Sequence, residues 1–241
     1  MIKNIKDLTT GIIDLIYPQR CVICQNRLDE QTFTPLCLYC FKKISWNLPP
    51  TCSICGRKIP VELSPENICF DCKVNKHFFD RAWSVALYEG VMRECIHKFK
   101  YERCTALVCF FVKVMNDFID NFINMDEFDC IVPIPLHPAK FREREFNQAF
   151  LIAHPIARRF RKRLLNNIRR VKFTLPQTEL SAKERFKNIK GAFELRKENN
   201  INGKNILIID DVFTTGATVD ECARLLKLNK ANFVGVLTLA C

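Results

Sequence analysis

Two groups of residues in this 241-residue chain have the types and spacing to do chemistry. The first is the run Asp210-Asp211-Val212-Phe213-Thr214-Thr215-Gly216-Ala217-Thr218. It follows a buried-type strand at Asn205–Ile209 (NILII) and precedes a helix predicted over Val219–Lys227. A strand, a short polar loop and a helix make an anion cradle, because backbone N–H groups converge at the helix N-terminus. Thr214, Thr215 and Thr218 add hydroxyls, and Gly216 lets the backbone come close. The two carboxylates cannot bind that anion; they suit hydroxyls or a cation beside it. A sugar with vicinal hydroxyls and a terminal phosphate meets both demands. The chain has no G-x-G-x-x-G and no G-K-[ST], which disfavours a dinucleotide site and a Walker loop.

The second group is cysteines. Of 14, eight form four C-x-x-C pairs: Cys21/Cys24, Cys37/Cys40, Cys52/Cys55 and Cys69/Cys72. Two thiolates of one knuckle can reach the same tetrahedral Zn2+, and two knuckles about a dozen residues apart close a ribbon around it. The spacing predicts two structural zinc sites of four cysteines each. A redox role is the alternative, and four such pairs within 52 residues argue against it. Spacing leaves consecutive and interleaved pairing both open. A closed four-cysteine site offers no open coordination position, so its work is to build a docking platform or to grip nucleic acid. Cys95, Cys104, Cys109, Cys130, Cys222 and Cys241 show no pairing rhythm and read as small core residues, with Cys241 as an exception that can be exposed.

The elements that must position these groups follow from periodicity. Arg81–Tyr88 reads as a strand, Glu89–Tyr101 as a helix, and Thr105–Phe122 as an apolar core helix. Asp129–Pro133 is a short strand that must turn at Pro133–Pro138. A helix is expected after Gln148 to about Arg163, closing on Arg158, Arg159, Arg161, Lys162 and Arg163. Asn167–Thr174 alternates like a strand, and Leu175–Gly191 reads as a long mobile loop of the kind that is usually functional. At the other end, Ile2, Ile5, Leu8, Ile12, Leu15 and Ile16 recur at helical spacing. No secretory signal is seen and no apolar run approaches the roughly 18 residues of a membrane span, so a reducing, cytoplasmic setting is expected. The net charge of +11 is local: residues 129–200 hold 17 basic residues against seven acidic ones. Such a field implies an anionic partner, either a phosphorylated metabolite or nucleic acid.

Residues 206–218, ILIIDDVFTTGAT, resemble the phosphoribosyl-pyrophosphate signature of type I phosphoribosyltransferases. The cysteine knuckles, Tyr88-Glu89-Gly90, Lys98-Phe99-Lys100-Tyr101, Val132-Pro133-Ile134-Pro135-Leu136-His137-Pro138, Arg144 with Phe146-Asn147-Gln148, Gln177, Arg185-Phe186-Lys187-Asn188 and Ala192-Phe193 extend the resemblance to the ComF family. That family joins a zinc ribbon to a phosphoribosyltransferase domain and is associated with natural competence, the uptake of single-stranded DNA. The resemblance implies an α/β chain with a type I phosphoribosyltransferase fold, a mostly parallel sheet flanked by helices, over residues 81–241. A cysteine-rich zinc-ribbon module would occupy residues 1–80. It implies that Asp210 and Asp211 hold the ribose 2- and 3-hydroxyls, and that Thr214, Thr215, Gly216, Ala217 and Thr218 hold the 5-phosphate. Ile134 and Pro135 would approach a pyrophosphate bridged by Mg2+, with Arg142, Arg144, Lys183 and Arg185 closing over it. The implied partners are phosphoribosyl pyrophosphate, single-stranded DNA and a DNA-uptake helicase. A true transferase acting on a small acceptor, and a zinc-ribbon adaptor docking the helicase, are the alternative readings. In one departure, the family usually reads R-G-F-N-Q and this chain has Glu145 in place of the glycine, so a turn that needs positive φ would have to be rebuilt.

Overall fold

The computed structural model describes residues 19–28, 34–60, 67–172, 187–196 and 200–241. The helix expected near the N-terminus (1–18) and most of the loop expected at 175–191, including Lys183 and Arg185, lie outside the described residues.

The first elements are two cysteine knuckle pairs, each followed by a short helix that starts on the second pair: α1 (Leu38–Lys42) and α2 (Phe70–Val74). Then come β1 (Arg81–Ala86), α3 (Gly90–Tyr101), α4 (Leu107–Phe122) and β2 (Cys130–Pro133). α5 (Pro138–Arg144), α6 (Gln148–Arg159), β3 (Arg163–Leu164), β4 (Ile168–Arg170) and β5 (Phe193–Leu195) follow. The chain closes with β6 (Asn205–Val212), α7 (Ala217–Leu228) and β7 (Phe233–Ala240). Five strands form one sheet in the order β1-β7-β6-β2-β3, with every pairing parallel. β4 and β5 pair antiparallel as a separate hairpin.

A parallel sheet needs apolar residues on both faces, and β6 supplies them by alternation. Leu207 and Ile209 join one buried cluster with Phe99, Phe110, Phe111, Met115, Ile152 and Ile156. Ile206 and Ile208 join the other, with Ala217, Val219, Cys222 and Leu226 of α7. α4 explains its own burial: Leu107, Phe110, Phe111, Val114, Met115 and Ile119 recur at helical spacing and are all buried.

The two ribbons divide between these clusters. Cys21, Leu28, Leu36, Cys40 and Ile44 belong to the first cluster, whereas Cys52, Cys55, Ile59 and Cys72 belong to the second. Together they straddle the exposed edge of β1. Asn47 N–H donates to the Val85 carbonyl at 3.0 Å, Leu87 N–H to Ser45 at 2.8 Å, and Ala82 N–H to Ile54 at 2.7 Å. Gly56 is required at this seam: a Cβ there would stand 2.5 Å from the Ala82 carbonyl oxygen, at a φ of +69°.

Three expectations are corrected. The helix expected to reach about Arg163 ends at Arg159; Arg161 turns to φ +53°, and Arg163 enters β3 beside Cys130. Sheet pairing captures the last residues of the basic cluster, so it is not one helical turn. β6 does not stop at Ile209: both acidic residues are strand residues, paired to β7 through Asp210↔Thr238 and Val212↔Ala240. α7 starts two residues earlier than expected, at Ala217, because Gly216 caps it in the left-handed region at φ +77°.

Candidate functional site

Asp210 and Asp211 lie near the carboxyl end of the central strand, just before Val212, and by alternation face opposite sides of the sheet. Asp211 meets α3: Lys100 Nζ lies 2.6 Å from its Oδ1, with side chains only 17% and 11% exposed. Burial depresses the Lys100 ammonium, but the Asp211 carboxylate prevails and holds its pKa above the ordinary lysine value. Asp210 is half-buried on the other side. Burial, then the Asp211 charge, push its carboxyl up to about 7, against the pull of Lys100 and Arg170. Its Oδ1 accepts the Asp211 backbone N–H at 2.9 Å.

Around this pair stands a ring of four cations drawn from three elements, α3, α5 and β4. Lys140 is driven below its ordinary value by burial and then by the charge of Arg144, with Arg170 and Lys100 contributing. Arg170, on β4, is likewise driven down by burial while Asp210 draws it up. Arg144 is buried, stacks its guanidinium 5.4 Å from the Tyr101 ring centroid, and donates to Gln148 Oε1 at 3.3 Å. Such crowding of positive charge stores repulsion that a multivalent anion would relieve.

The segment from Arg144 to Gln148 assigns a task to nearly every residue. Glu145 keeps the left-handed turn that the sequence comparison with the family's glycine raised: its φ is +68°, so the turn is not rebuilt. Arg103 steadies it, donating to Glu145 Oε1 at 2.7 Å and to the Glu143 carbonyl at 3.0 Å. Phe146 packs against Phe99, with ring centroids 5.3 Å apart. Asn147 caps α6 by accepting the Phe150 N–H, and its Nδ2 donates to the Ile134 carbonyl at 3.0 Å. Ile134 in turn donates its N–H to Ile209 at 3.0 Å, which places the loop carrying Ile134 and Pro135 beside the acid pair.

The loop after β6 runs Phe213 to Gly216 before α7. A Cβ on Gly216 would come 2.6 Å from Phe213 Cζ, so only glycine allows the ring to lie beneath the loop. Thr215 Oγ1 accepts the Ala217 N–H at 3.4 Å, and Thr214 is exposed. Among the residues expected at the site, Asp210, Asp211, Ile134, Pro135 and Arg144 converge, with Thr214–Thr218 directly following the acidic strand end. Arg142 instead lies exposed on α5, two residues round from the buried Arg144. Lys100, Lys140 and Arg170 were not expected. The nearest signal was the segment Lys98–Tyr101, where the second lysine and the tyrosine are the ones that reach the site.

The cysteines group consecutively: Cys21, Cys24, Cys37 and Cys40 form one set and Cys52, Cys55, Cys69 and Cys72 the other, with sulfurs within 4.8 Å of one another. Cys24 and Cys37 sulfurs are 3.6 Å apart and Cys55 and Cys69 sulfurs 3.7 Å. A tetrahedron with Zn–S bonds of about 2.3 Å has an edge of about 3.8 Å. Backbone N–H groups point at the sulfurs, Cys40 to Cys37 at 3.5 Å and Cys69 to Cys52 at 3.3 Å. Burial opposes the Cys21 and Cys52 thiolates, yet such N–H groups bring them down to about 6 and about 7. Burial and the neighbouring thiolates push Cys55 up to about 12. Four sulfurs so close cannot all ionise without a cation among them, and that donor set fits Zn2+.

Comparison with known proteins agrees with both halves of the chain. A double zinc ribbon domain matches residues 12–73, and a phosphoribosyl transferase domain matches residues 147–240. Competence protein ComFC of Bacillus subtilis is 30% identical over 253 aligned residues, covering 97% of this chain and 90% of that protein. Competence protein F of Haemophilus influenzae is 29% identical, covering 86% of this chain and 90% of that protein. The DNA utilization protein YhgH of Salmonella typhimurium is 29% identical, covering 85% of this chain and 96% of that protein. No helix among the described residues is long and apolar enough to cross a membrane. The parallel sheet that ends in an acidic pair, the two four-cysteine groups and this identity over almost the whole chain place the protein in the ComF competence family.

Proposed function

We propose that the phosphoribosyltransferase domain binds phosphoribosyl pyrophosphate with Mg2+, and that this cytoplasmic chain uses the site while handling incoming single-stranded DNA. The observation that carries the reading is the Asp210/Asp211 pair at the end of β6, directly before the Gly216 loop and ringed by Lys100, Lys140, Arg144 and Arg170. Hard carboxylate oxygens are the donors that Mg2+ accepts, and a cation beside Asp210 would restore its ionised form. Bound there, Mg2+ would neutralise the pyrophosphate oxygens.

The chain's own residues would divide the rest. Asp210 and Asp211 accept hydrogen bonds from the ribose 2- and 3-hydroxyls. To do so Asp211 exchanges part of its ion pair with Lys100, whose ammonium is then available to the pyrophosphate. The amides and hydroxyls of Thr214–Thr218 hold the 5-phosphate at the start of α7. Asn147 fixes the Ile134–Pro135 loop, and Gln148 aims Arg144, so both face the leaving group already oriented. Lys183 and Arg185 remain candidates to close over it. For DNA, a cavity of about 880 Å³ lies between α5, α6 and the β4–β5 hairpin, lined by Phe141, Phe150, Arg169, Arg170 and Arg196 among others. Aromatic rings and arginines in one groove suit stacked bases and phosphates. The ribbons would serve as the platform for a partner such as a DNA-uptake helicase.

Calorimetry tests the reading. Wild type should bind phosphoribosyl pyrophosphate with Mg2+ in the micromolar range, and Asp210→Ala/Asp211→Ala should lose that binding while staying folded. A zinc-loaded, folded wild type that binds none would leave the site as inherited scaffold.

A further inference from the structure

The second ribbon holds both ends of the loop that follows β6. Arg57 lies two residues after Cys55, and its carbonyl accepts the Cys52 N–H at 2.8 Å, so the knuckle itself fixes its backbone. Its guanidinium then splits. Nη1 meets Asp71 Oδ2 at 3.2 Å, beside Cys72, and Nη2 donates to the Thr214 carbonyl at 2.5 Å. The same group lies 5.7 Å from the Phe213 ring centroid. At the other end, Asp220 in the first turn of α7 accepts the Phe78 N–H at 2.7 Å and faces His77 Nδ1 at 3.7 Å. Residues 77 and 78 belong to the chain that leaves Cys72. Between the two grips is a cavity of about 610 Å³ whose walls include Cys55, Cys72, Phe213 and Thr215.

We propose that Arg57 is a positioning residue that makes anion binding by the Thr214–Thr218 loop depend on the metal state of the Cys52/Cys55/Cys69/Cys72 group. This rests on the reading of that loop as a phosphate cradle. In a trans peptide the carbonyl and the next N–H point in opposite directions. Holding the Thr214 carbonyl on the ribbon therefore turns the Thr215 N–H away from the ribbon. A ribbon without metal loses the knuckle that carries Arg57, and the peptide between Thr214 and Thr215 is then at liberty to rotate. One charge-assisted donor to the phosphate is lost without any change in the loop's own sequence. Asp71, which shares the guanidinium, sets its direction in the way that a second partner orients a ligand.

The experiment uses the full chain with two zinc ions per molecule, titrated with phosphoribosyl pyrophosphate and Mg2+ by calorimetry and by amide NMR. Arg57→Ala should retain both zinc ions, weaken binding by about tenfold or more, and displace the Thr215 amide resonance even without ligand. Arg57→Lys, which keeps one donor, should recover part of the affinity. Wild-type affinity and an unmoved Thr215 amide in zinc-loaded Arg57→Ala would overturn the proposal. If Arg57→Ala does not retain zinc, the wild type is titrated with a chelator instead: the Thr215 amide should move as the second cysteine group gives up its ion, and an amide that stays in place overturns the coupling. A wild type that binds no ligand would sink the ligand reading alone, because the ligand-free Thr215 shift still decides the role of Arg57.

Discussion

Asp210 is held where a carboxylate is uncomfortable. Its pKa is raised from 3.8 to about 7 by burial and by Asp211. Between those values the folded chain binds a proton that the unfolded chain does not, so stability falls as pH rises through that window. Asp210→Asn should therefore raise the melting temperature at pH 8 and change it little at pH 4, with a gain on the order of a few kcal/mol at pH 8. The same shift predicts a ligand effect of opposite sign. In the proposed binding of phosphoribosyl pyrophosphate it is the ionised form that would accept the ribose hydroxyls, so on that reading affinity should rise about tenfold between pH 6 and pH 8. In Asp210→Asn that step should shrink, and a step of unchanged size would assign it to another group. Lys100 and Asp211 form the complementary device. Replacing Lys100 by Ala leaves a buried carboxylate alone, and denaturant unfolding should show a loss of about 3–5 kcal/mol.

At the scale of elements, the turn between α5 and α6 shows how a departure from the family's pattern is absorbed. Glu145 sits at φ +68°, a conformation that costs a non-glycine residue about 1–2 kcal/mol. Its ion pair with Arg103 is solvent-exposed on both sides, so it returns at most about 1 kcal/mol. Glu145→Gly should thus be neutral to stabilising by up to about 1 kcal/mol in chemical denaturation, and a clear loss of stability would show that the pair does more than this geometry implies. The same turn explains what could be read in advance. The eight cysteines and the stretch from Ile206 to Thr218 were legible because each packs its chemistry into contiguous residues with fixed spacing. Lys100, Lys140 and Arg170 were not, because their meaning comes from three separate elements meeting over β6 rather than from any local pattern. The helix expected to reach about Arg163 failed for a related reason: a run of cations is compatible with a last helical turn, and only the pairing of β3 with β2 shows where the helix must stop. The extra strand residues at Asp210–Val212 were hidden because charge argues against a strand unless its partner β7 is already known.

For the whole molecule, the double ribbon closes one edge of the sheet. The other edge, β3, is only two residues long and offers little to a foreign strand. β1 is longer and keeps its outer hydrogen bonds by pairing with residues 45, 47 and 54. Removing zinc from the full chain should expose that edge and produce concentration-dependent association, which light scattering would follow in step with zinc release. A metal-free chain that stays monodisperse with native circular dichroism would show that the ribbon holds its shape without the ion. The pairing of β1 with β7 joins Arg81 to Gly235 and Ala86 to Ala240. On the ribosome these partners are made far apart in time, separated by on the order of ten seconds of synthesis or more. The cysteine module and β1 therefore emerge long before the strand that seats β1 in the sheet, and β7 is the last described element to be translated. Through that interval the nascent chain carries both cysteine groups beside an unfinished edge, so zinc bound at that stage would hold the cover over β1 until β7 arrives.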